Sequence, residues 1–306
     1  MKLIVETDLG RDPDDFFALC YFIDAGVDLK LITISPGDPD QVAVARFILK
    51  ECDLDIPVGV SNITRNKKSV GSIHTELLKK YSYPERVQAD GTGHFFMREI
   101  WNKEGAEKDN TSQFFGCGPL DSIGNLCYAG EVDEDVCLPV RATVQGGYIS
   151  YETLARAGIN PPIKLDKFIG QEFVPTFNLN GNRKAGQAFL NSPIIEKRFI
   201  SKNVCHTIVY DKKVHEFVKE HKPKSRAGEL LREGMDLYLQ RHPEGKKFHD
   251  PSAAVCHMHP EIGQWVDGQL MYEKGKWGTR LDEPHNCKII GTLNYEKLWE
   301  HIALGT

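Results

Sequence analysis

The stretch LIVETDLGRDPDDFFALCYFIDAG, residues 3–26, joins a short apolar run to an apolar helical pattern through an acidic turn. Residues 3–7 are rich in β-branched side chains and predict a buried strand. Asp14 and Asp15 open a helix that ends at a glycine. Five acids lie between Glu6 and Asp15, with a single arginine to balance them. Since like charges repel and a half-buried carboxylate needs a partner, this turn requires an explanation.

The alternation of strand and helix continues beyond this first unit. Residues 29–35 predict a second strand, 39–51 a second helix and 56–60 a third strand. This spacing is typical of right-handed βαβ units and a parallel sheet. We therefore expect an α/β fold, with an open, mostly parallel twisted sheet flanked by helices.

The remainder of the chain continues this pattern less regularly. Residues 62–93 are polar and predict a long surface excursion. After it, we predict strands at 112–118, 139–147, 205–210, 268–274 and 287–294, and helices at 119–130, 183–192, 213–221, 226–242 and 249–259. No internal repeat or linker interrupts the chain, so residues 1–306 predict a single domain.

The composition indicates which binding partners and which cellular compartment to expect. A net charge of −5 and a pI near 6.1 argue against a nucleic acid polymer or an acidic membrane surface. The eight cysteines include no C-x-x-C pair, which favours reduced thiols. The start MKLIV shows no signal-peptide pattern, and the apolar run at 16–23 is far shorter than the ~20 residues of a membrane span. We expect a cytoplasmic protein with no membrane partner.

The acidic turn allows two interpretations. Asp14 or Asp15 could cap the following helix while the other acids are solvated, which explains one acid better than five. A hard divalent cation such as Ca²⁺ explains the whole set, since it takes oxygen ligands. Other sites fit poorly: an EF-hand loop from Asp8 would place Leu19 where a glutamate is needed, and the turn lacks the lysine of a phosphate loop and the His or Cys of a zinc site.

A second group of polar residues lies far away in sequence, in KFHDPSAAV, residues 247–255. His249 and Asp250 precede Pro251 at the start of a helical pattern, where an acid can simply cap the helix. An oxygen-ligand cation, however, needs acids from more than one segment. A neighbouring histidine is also suited to general acid catalysis near neutral pH.

Four elements together resemble the inosine–uridine-preferring nucleoside hydrolase family. They are the acidic turn, GPLDSIGN at 118–125, FNLNGNRKAG at 177–186 and FHDPSAAV at 248–255, in this order across nearly the whole chain. The resemblance implies an open α/β fold with Ca²⁺ at the carboxyl edge of the sheet. It also implies hydrolysis of the N-glycosidic bond of a small-molecule ribonucleoside, as in purine salvage, by a homodimer or homotetramer.

The resemblance also assigns roles to residues of this chain. Asp8, Asp15 and Asp250 would bind Ca²⁺ through their side chains, and Cys117 through its backbone carbonyl. Asp8 would act as the general base as well. Asp14 and Asn178 would contact ribose hydroxyls, and His249 would protonate, or at least hydrogen-bond to, the departing base.

Departures from the family pattern leave the substrate open. Thr176 replaces a glutamate that contacts the ribose 5′-hydroxyl, while Gln171 and Asp38 stand where asparagines are usual; we keep all three as candidate substrate contacts. Two residues within 11–13 lengthen the acidic turn. A nucleoside 5′-phosphate or another ribosyl compound therefore remains an alternative, with Arg183 as a nearby cation. So does a non-catalytic, calcium-dependent nucleoside- or ribose-binding protein.

Overall fold

The computed structural model describes residues 1–107, 112–130, 136–282 and 284–306. Within these ranges the strands are β1 (Lys2–Thr7), β2 (Asp28–Ile34), β3 (Val58–Val60), β4 (Gly91–Thr92), β5 (Gln113–Gly116), β6 (Arg141–Gln145), β7 (Glu196–Ile200), β8 (Val209–Tyr210), β9 (Lys246–Lys247), β10 (Gly263–Glu273), β11 (Lys276–Arg280) and β12 (Cys287–Leu293). The helices are α1 (Asp14–Asp24), α2 (Pro39–Glu51), α3 (Ile73–Lys80), α4 (Gly93–Ala106), α5 (Asp121–Gly130), α6 (Tyr151–Arg156), α7 (Phe177–Gly181), α8 (Arg183–Asn191), α9 (Lys202–Cys205), α10 (Lys212–Lys219), α11 (Arg226–Leu239), α12 (His249–Met258) and α13 (Tyr295–Leu304).

A ten-stranded sheet organises the molecule, in the order β11-β10-β12-β7-β6-β5-β1-β2-β3-β4. The strands from β12 to β4 pair in parallel, and β10 and β11 add an antiparallel edge. The predicted α/β class with a mostly parallel sheet is confirmed. None of the helices in the described ranges combines the length and apolar character needed to cross a bilayer.

The central strand β1 is covered on both faces. Leu3 and Val5 pack into one apolar cluster with α1, while Ile4 points to a second cluster on the opposite face. This alternation explains why residues 3–5 are all apolar, as is usual for a strand buried on both sides. The sheet therefore holds the acidic turn, which follows β1, between two packed layers.

The strand order changes direction beside β1. From β1 the chain moves through β2 and β3 to β4, and then returns to place β5 on the other side of β1. In open α/β sheets, such a switch point leaves a crevice at the carboxyl ends of the strands, where ligands bind. The acidic turn lies at this point.

The segment 62–93, predicted as a surface excursion, contains a buried helix instead. Ile73, His74 and Leu77 of α3 are buried, and His74 Nδ1 lies 2.9 Å from the carbonyl oxygen of Gly10 in the acidic turn. The helix is amphipathic but only eight residues long, so its apolar positions are too few to stand out in a polar segment. Helix α4, which begins at the end of this segment, was also not predicted.

Strand β7 was not predicted from the sequence. Strand β7 lies between β6 and β12, whereas the predicted strand at 205–210 contributes only β8 to a two-stranded sheet. The sequence EKRFI conceals β7 because three charged residues begin it. Their charges are satisfied locally: Arg198 donates to Glu196, and the buried ammonium of Lys197 donates to the carbonyl of Ser192.

Glu6 fixes the helix next to the switch point. Its buried carboxylate accepts hydrogen bonds from the backbone N–H groups of Ser122 and Ile123, at 2.7 and 3.0 Å, and from the hydroxyl of Ser35 at 3.1 Å. These donors belong to the N-terminus of α5 and the end of β2. Burial, partly offset by these hydrogen bonds, raises the pKa of Glu6 to about 7. Glu6 is therefore a supporting acid that joins strands to helix.

We expect Glu6→Ala to lower the free energy of unfolding by about 2–4 kcal/mol, since two buried backbone donors lose their acceptor. Glu6→Gln keeps one acceptor oxygen and should lose less. Urea unfolding of both variants measures the difference. Equal stability of Glu6→Ala and the parent would contradict this role.

Candidate active site

The carboxylates of the acidic turn converge at the carboxyl end of β1. Asp15 Oδ1 accepts hydrogen bonds from Thr7 Oγ1 at 2.5 Å, Asp8 N at 3.1 Å and Cys117 Sγ at 3.4 Å. Cys117 directly follows β5, so this carboxylate joins the two strands at the switch point. A Cβ at the next residue, Gly118, would lie 3.1 Å from Asp8 N, and the lack of a side chain there permits this close approach.

Asp14 connects the turn to the second sequence element. Its Oδ2 accepts hydrogen bonds from the backbone N–H groups of His249, at 2.9 Å, and Asp250, at 3.2 Å. Asp14 thus caps α12, which begins 235 residues later, while its own helix has no side-chain cap. This contact brings Asp250 to the acidic turn.

The resulting cluster suits a cation with oxygen ligands. One side-chain atom from each of Asp15, Cys117 and Asp250 lies within 4.8 Å of the others, and all three residues are buried. The Asp250 carboxylate accepts no hydrogen bond from the residues that the structure describes. Burial, together with repulsion from Asp15, raises the pKa values of Asp8 and Asp250 well above the usual range. A cation would supply the missing positive charge.

Cys117 contributes a thiol, not a thiolate. Burial and the neighbouring carboxylates raise the pKa of Cys117 well above its ordinary value, so the thiol keeps its proton. In this form it donates to Asp15, as the distance above shows. A protonated thiol is a poor metal ligand, so the side chains that remain are carboxylates, the ligands preferred by Ca²⁺.

A lysine that sequence analysis missed supplies a permanent positive charge. Lys246 Nζ lies 2.9 Å from Asp12 Oδ1 and 3.4 Å from Asp14 Oδ1, and only 4% of the residue is exposed. Although burial opposes it, the attraction of Asp14 and Asp12 raises the pKa of Lys246. Asp12, which belongs to the lengthened turn, thus holds the ammonium group of Lys246 against Asp14. The signal in the sequence was the position of Lys246 three residues before His249.

His249 lies in a basic environment. Its ring centroid is 4.6 Å from that of His206, and its buried Nδ1 has no hydrogen-bond partner among the described residues. Burial, the His206 ring and three nearby lysines lower the pKa of His249 well below 6.5. The ring is therefore neutral at neutral pH, contrary to the expectation of a histidine poised near neutrality. In this state it can hydrogen-bond to a leaving group.

Asn178 and Thr176 occupy another wall of the same pocket. Asn178 Nδ2 donates to Gln145 Oε1 at 2.7 Å and to the Gln145 backbone oxygen at 3.1 Å. Both bonds use the amide nitrogen, which leaves Oδ1 for a ligand hydroxyl. The Thr176 hydroxyl is buried, and no residue in the described part of the chain forms a hydrogen bond with it.

Two candidate substrate contacts lie outside this pocket. Asp38 caps α2 and binds the loop that follows β3, accepting from Ser69 Oγ and Lys67 N at 2.6 Å each. These bonds and Arg65 lower the pKa of Asp38 despite its burial. Gln171 is exposed, and its backbone oxygen accepts from the hydroxyl of Tyr148 at 2.9 Å. Arg183, the cation considered for a 5′-phosphate, lies against Tyr272 instead.

The other candidates line one cavity of about 680 Å³ at the switch point, within the ~300–1,000 Å³ range typical of small-molecule sites. It brings together the predicted residues Asp8, Asp14, Asp15, Cys117, Thr176, Asn178, His249 and Asp250. Among the other lining residues, sequence analysis proposed no role for Gln41, Gln145, Lys202 or His206.

Comparison with known proteins places this arrangement in a structural context. A plant nucleoside hydrolase superposes with a TM-score of 0.71 at 18% identity, covering 100% of this chain and 99% of that one. A purine-preferring ribonucleoside hydrolase from Gardnerella vaginalis gives 0.71 at 17% identity, covering 100% and 98%. An inosine–uridine-preferring nucleoside hydrolase from Bacillus anthracis gives 0.70 at 14% identity, covering 99% and 98%. The chain has the nucleoside hydrolase fold.

At the level of sequence the chain is more isolated. No protein-family model matches it. An uncharacterized protein of Aquifex aeolicus (strain VF5) is 26% identical over 280 residues, which cover 88% of this chain and 87% of that protein. The nucleoside hydrolase fold is thus shared over nearly the full length of solved structures whose sequences differ widely from this chain.

We expect Lys246→Met to lower the free energy of unfolding of the calcium-free protein by about 1–3 kcal/mol, because the buried Asp14 loses its counter-charge, whereas the lost ion pair with the exposed Asp12 contributes little. Since the site becomes more negative, added Ca²⁺ should stabilise this variant more than the parent. Urea unfolding with chelator and with Ca²⁺ tests both statements. Lys222→Met, which changes an exposed lysine outside the cavity, is the control. An equal gain from Ca²⁺ in Lys246→Met and the parent would contradict the assignment.

Proposed function

We propose that the protein is a calcium-dependent N-ribohydrolase that cleaves the N-glycosidic bond of a ribosyl substrate to a free base and a ribose product. The observation that carries this proposal is the cluster of buried Asp15 and Asp250 with Cys117, beside the partly buried Asp8, at the switch point of the sheet. Few non-catalytic roles require several carboxylates with raised pKa values in one open cavity. The likeness in fold to solved nucleoside hydrolases supports the same activity.

The carboxylates would divide two tasks. Asp8, Asp15 and Asp250, with the backbone carbonyl of Cys117, would hold the Ca²⁺. When bound, the cation supplies positive charge that makes a nearby water more acidic and orients it. Asp8 lies at the open side of the cluster, half-exposed to the cavity, and would accept the proton of the attacking water. The carboxylates also stabilise the positive charge that develops on the sugar in an oxocarbenium-like transition state.

Other pocket residues would orient the sugar and the leaving base. Asp14 and Asn178 would accept hydrogen bonds from ribose hydroxyls, Asn178 through its free Oδ1. His249 would hydrogen-bond to the departing base. Phe177 lines the same cavity with 80% of its surface exposed, and its ring offers an apolar face to a planar base.

The wider assignments follow from this activity. The substrate would be a small ribosyl molecule, the cofactor Ca²⁺ and the compartment the cytoplasm. The family resemblance also suggests a homodimer or homotetramer with a role in nucleoside salvage.

We expect Asp8→Asn and Asp250→Asn each to lower kcat by at least about 100-fold, because each removes a charge from the centre of the site. Release of base from a panel of nucleosides and their 5′-phosphates, with and without chelator, is the measurement. Asp28→Asn, at the opposite, amino-terminal end of β2, is the matched control and should retain activity. If either active-site variant keeps activity within about tenfold of the parent, the carboxylate assignment is wrong. Stoichiometric binding without base release would instead indicate a binding protein.

His249→Ala should affect substrates unequally. The leaving base of inosine gains from a hydrogen bond or proton, whereas p-nitrophenolate leaves readily without one. We therefore expect a larger loss of kcat/KM with inosine than with p-nitrophenyl riboside. Parallel assays of the two substrates give the ratio, and equal losses would remove His249 from this role.

A further inference from the structure

The cavity has a basic wall in addition to its carboxylates. Lys202 and His206, at the two ends of the α9 turn, both line the cavity. Lys167 Nζ lies 3.0 Å from His206 Nδ1, and Lys247 adjoins the same group. We call this group the basic wall: Lys202 and His206 line the cavity, and Lys167 and Lys247 lie next to His206 outside the lining.

The charges of this basic wall are not compensated by acids. Within the described ranges, Lys167, Lys202 and Lys247 form no ion pair with a carboxylate. Lys202 Nζ donates a single hydrogen bond, to the carbonyl of Pro175 at 2.7 Å, and keeps two further N–H donors. Burial and repulsion from the surrounding lysines both disfavour a positively charged ring, and together they lower the pKa of His206 to about 3. Such a wall attracts an anion.

A buried hydroxyl adjoins the lysine. Thr176 follows Pro175, whose carbonyl holds the Lys202 ammonium, and its residue surface is only 3% exposed. Thr176 lines the cavity, yet its Oγ1 has no hydrogen-bond partner within the described ranges. A buried hydroxyl without a partner is costly, and a bound oxygen acceptor would satisfy it.

We propose that Lys202 and Thr176 bind the phosphate of a phosphorylated ribosyl substrate, so that the protein prefers a ribonucleoside 5′-phosphate to the nucleoside. The inference rests on the proposed function, because it assigns the other side of the same pocket. Once the 2′- and 3′-hydroxyls face the carboxylates and the base faces His249, the 5′ oxygen is the remaining substituent of the ribose. The carboxylates repel a phosphate, which the basic wall attracts. The phosphate monoester stays intact while the glycosidic bond breaks.

The kinetic test compares inosine with inosine 5′-monophosphate on the full chain in excess Ca²⁺. We expect kcat/KM to be at least about tenfold higher for the phosphate, the effect of one or two hydrogen bonds to a charged group. Lys202→Met and Thr176→Val should each reduce this preference, whereas Thr176→Ser should retain it. Lys222→Met, which removes an exposed lysine outside the cavity, should leave the preference unchanged. A preference for inosine, or one insensitive to Lys202→Met, would overturn the inference.

A binding measurement separates this inference from the proposed function. Calorimetry compares ribose 5-phosphate, ribose and inorganic phosphate on the parent and on Lys202→Met. We expect ribose 5-phosphate to bind more tightly than ribose, and to lose that advantage in the variant. Equal affinities would overturn the phosphate assignment even if nucleosides are hydrolysed. Tighter, Lys202-dependent binding without base release from either substrate would support the phosphate site and contradict the hydrolase.

Discussion

The candidate site depends on one contact: the carboxylate of Asp14 accepts hydrogen bonds from two backbone N–H groups. This contact ties the first helix of the chain to the start of α12, and it orients His249 and Asp250 toward the end of β1. A buried carboxylate is costly, but bonds from backbone donors and the ammonium of Lys246 stabilise it. Burial nevertheless dominates and raises the pKa of Asp14 to about 7. The fold thus tolerates a destabilising buried carboxylate at the point where two motifs that are distant in sequence meet.

The same site separates its charges in space. Carboxylates gather between β1 and α12, Lys246 stands behind Asp14, and the remaining lysines lie around His206 and His249. The lengthened turn has a structural role in this arrangement, because its Asp12 is the second carboxylate that pairs with Lys246. A cation among the carboxylates and a ligand that carries an anionic group would together neutralise both regions. The chemistry proposed for the pocket follows from this distribution of charge.

The parts that were predictable from sequence are those with local signals. Strand β1 and helix α1 were evident because a strand buried on both faces reads as a continuous apolar run and the following helix is apolar throughout. Strand β7 was not, because the charged residues that begin it, among them Lys197 and Arg198, hide the apolar pattern of a buried strand. Lys246 was missed for a different reason: its ion pairs join residues more than 230 positions apart. Asp38 and Gln171 were proposed by position in a motif, and the fold directs them to loop and backbone contacts outside the cavity.

The central claim is that the buried carboxylates bind a Ca²⁺ that the glycosidic reaction requires. The most direct test treats the protein with chelator, removes the chelator, and titrates Ca²⁺ while following both binding by calorimetry and base release from a ribosyl substrate. We expect one Ca²⁺ to bind per chain and activity to rise in parallel with occupancy. Full activity in the calcium-free protein, or binding of Ca²⁺ that leaves base release unchanged, would contradict it.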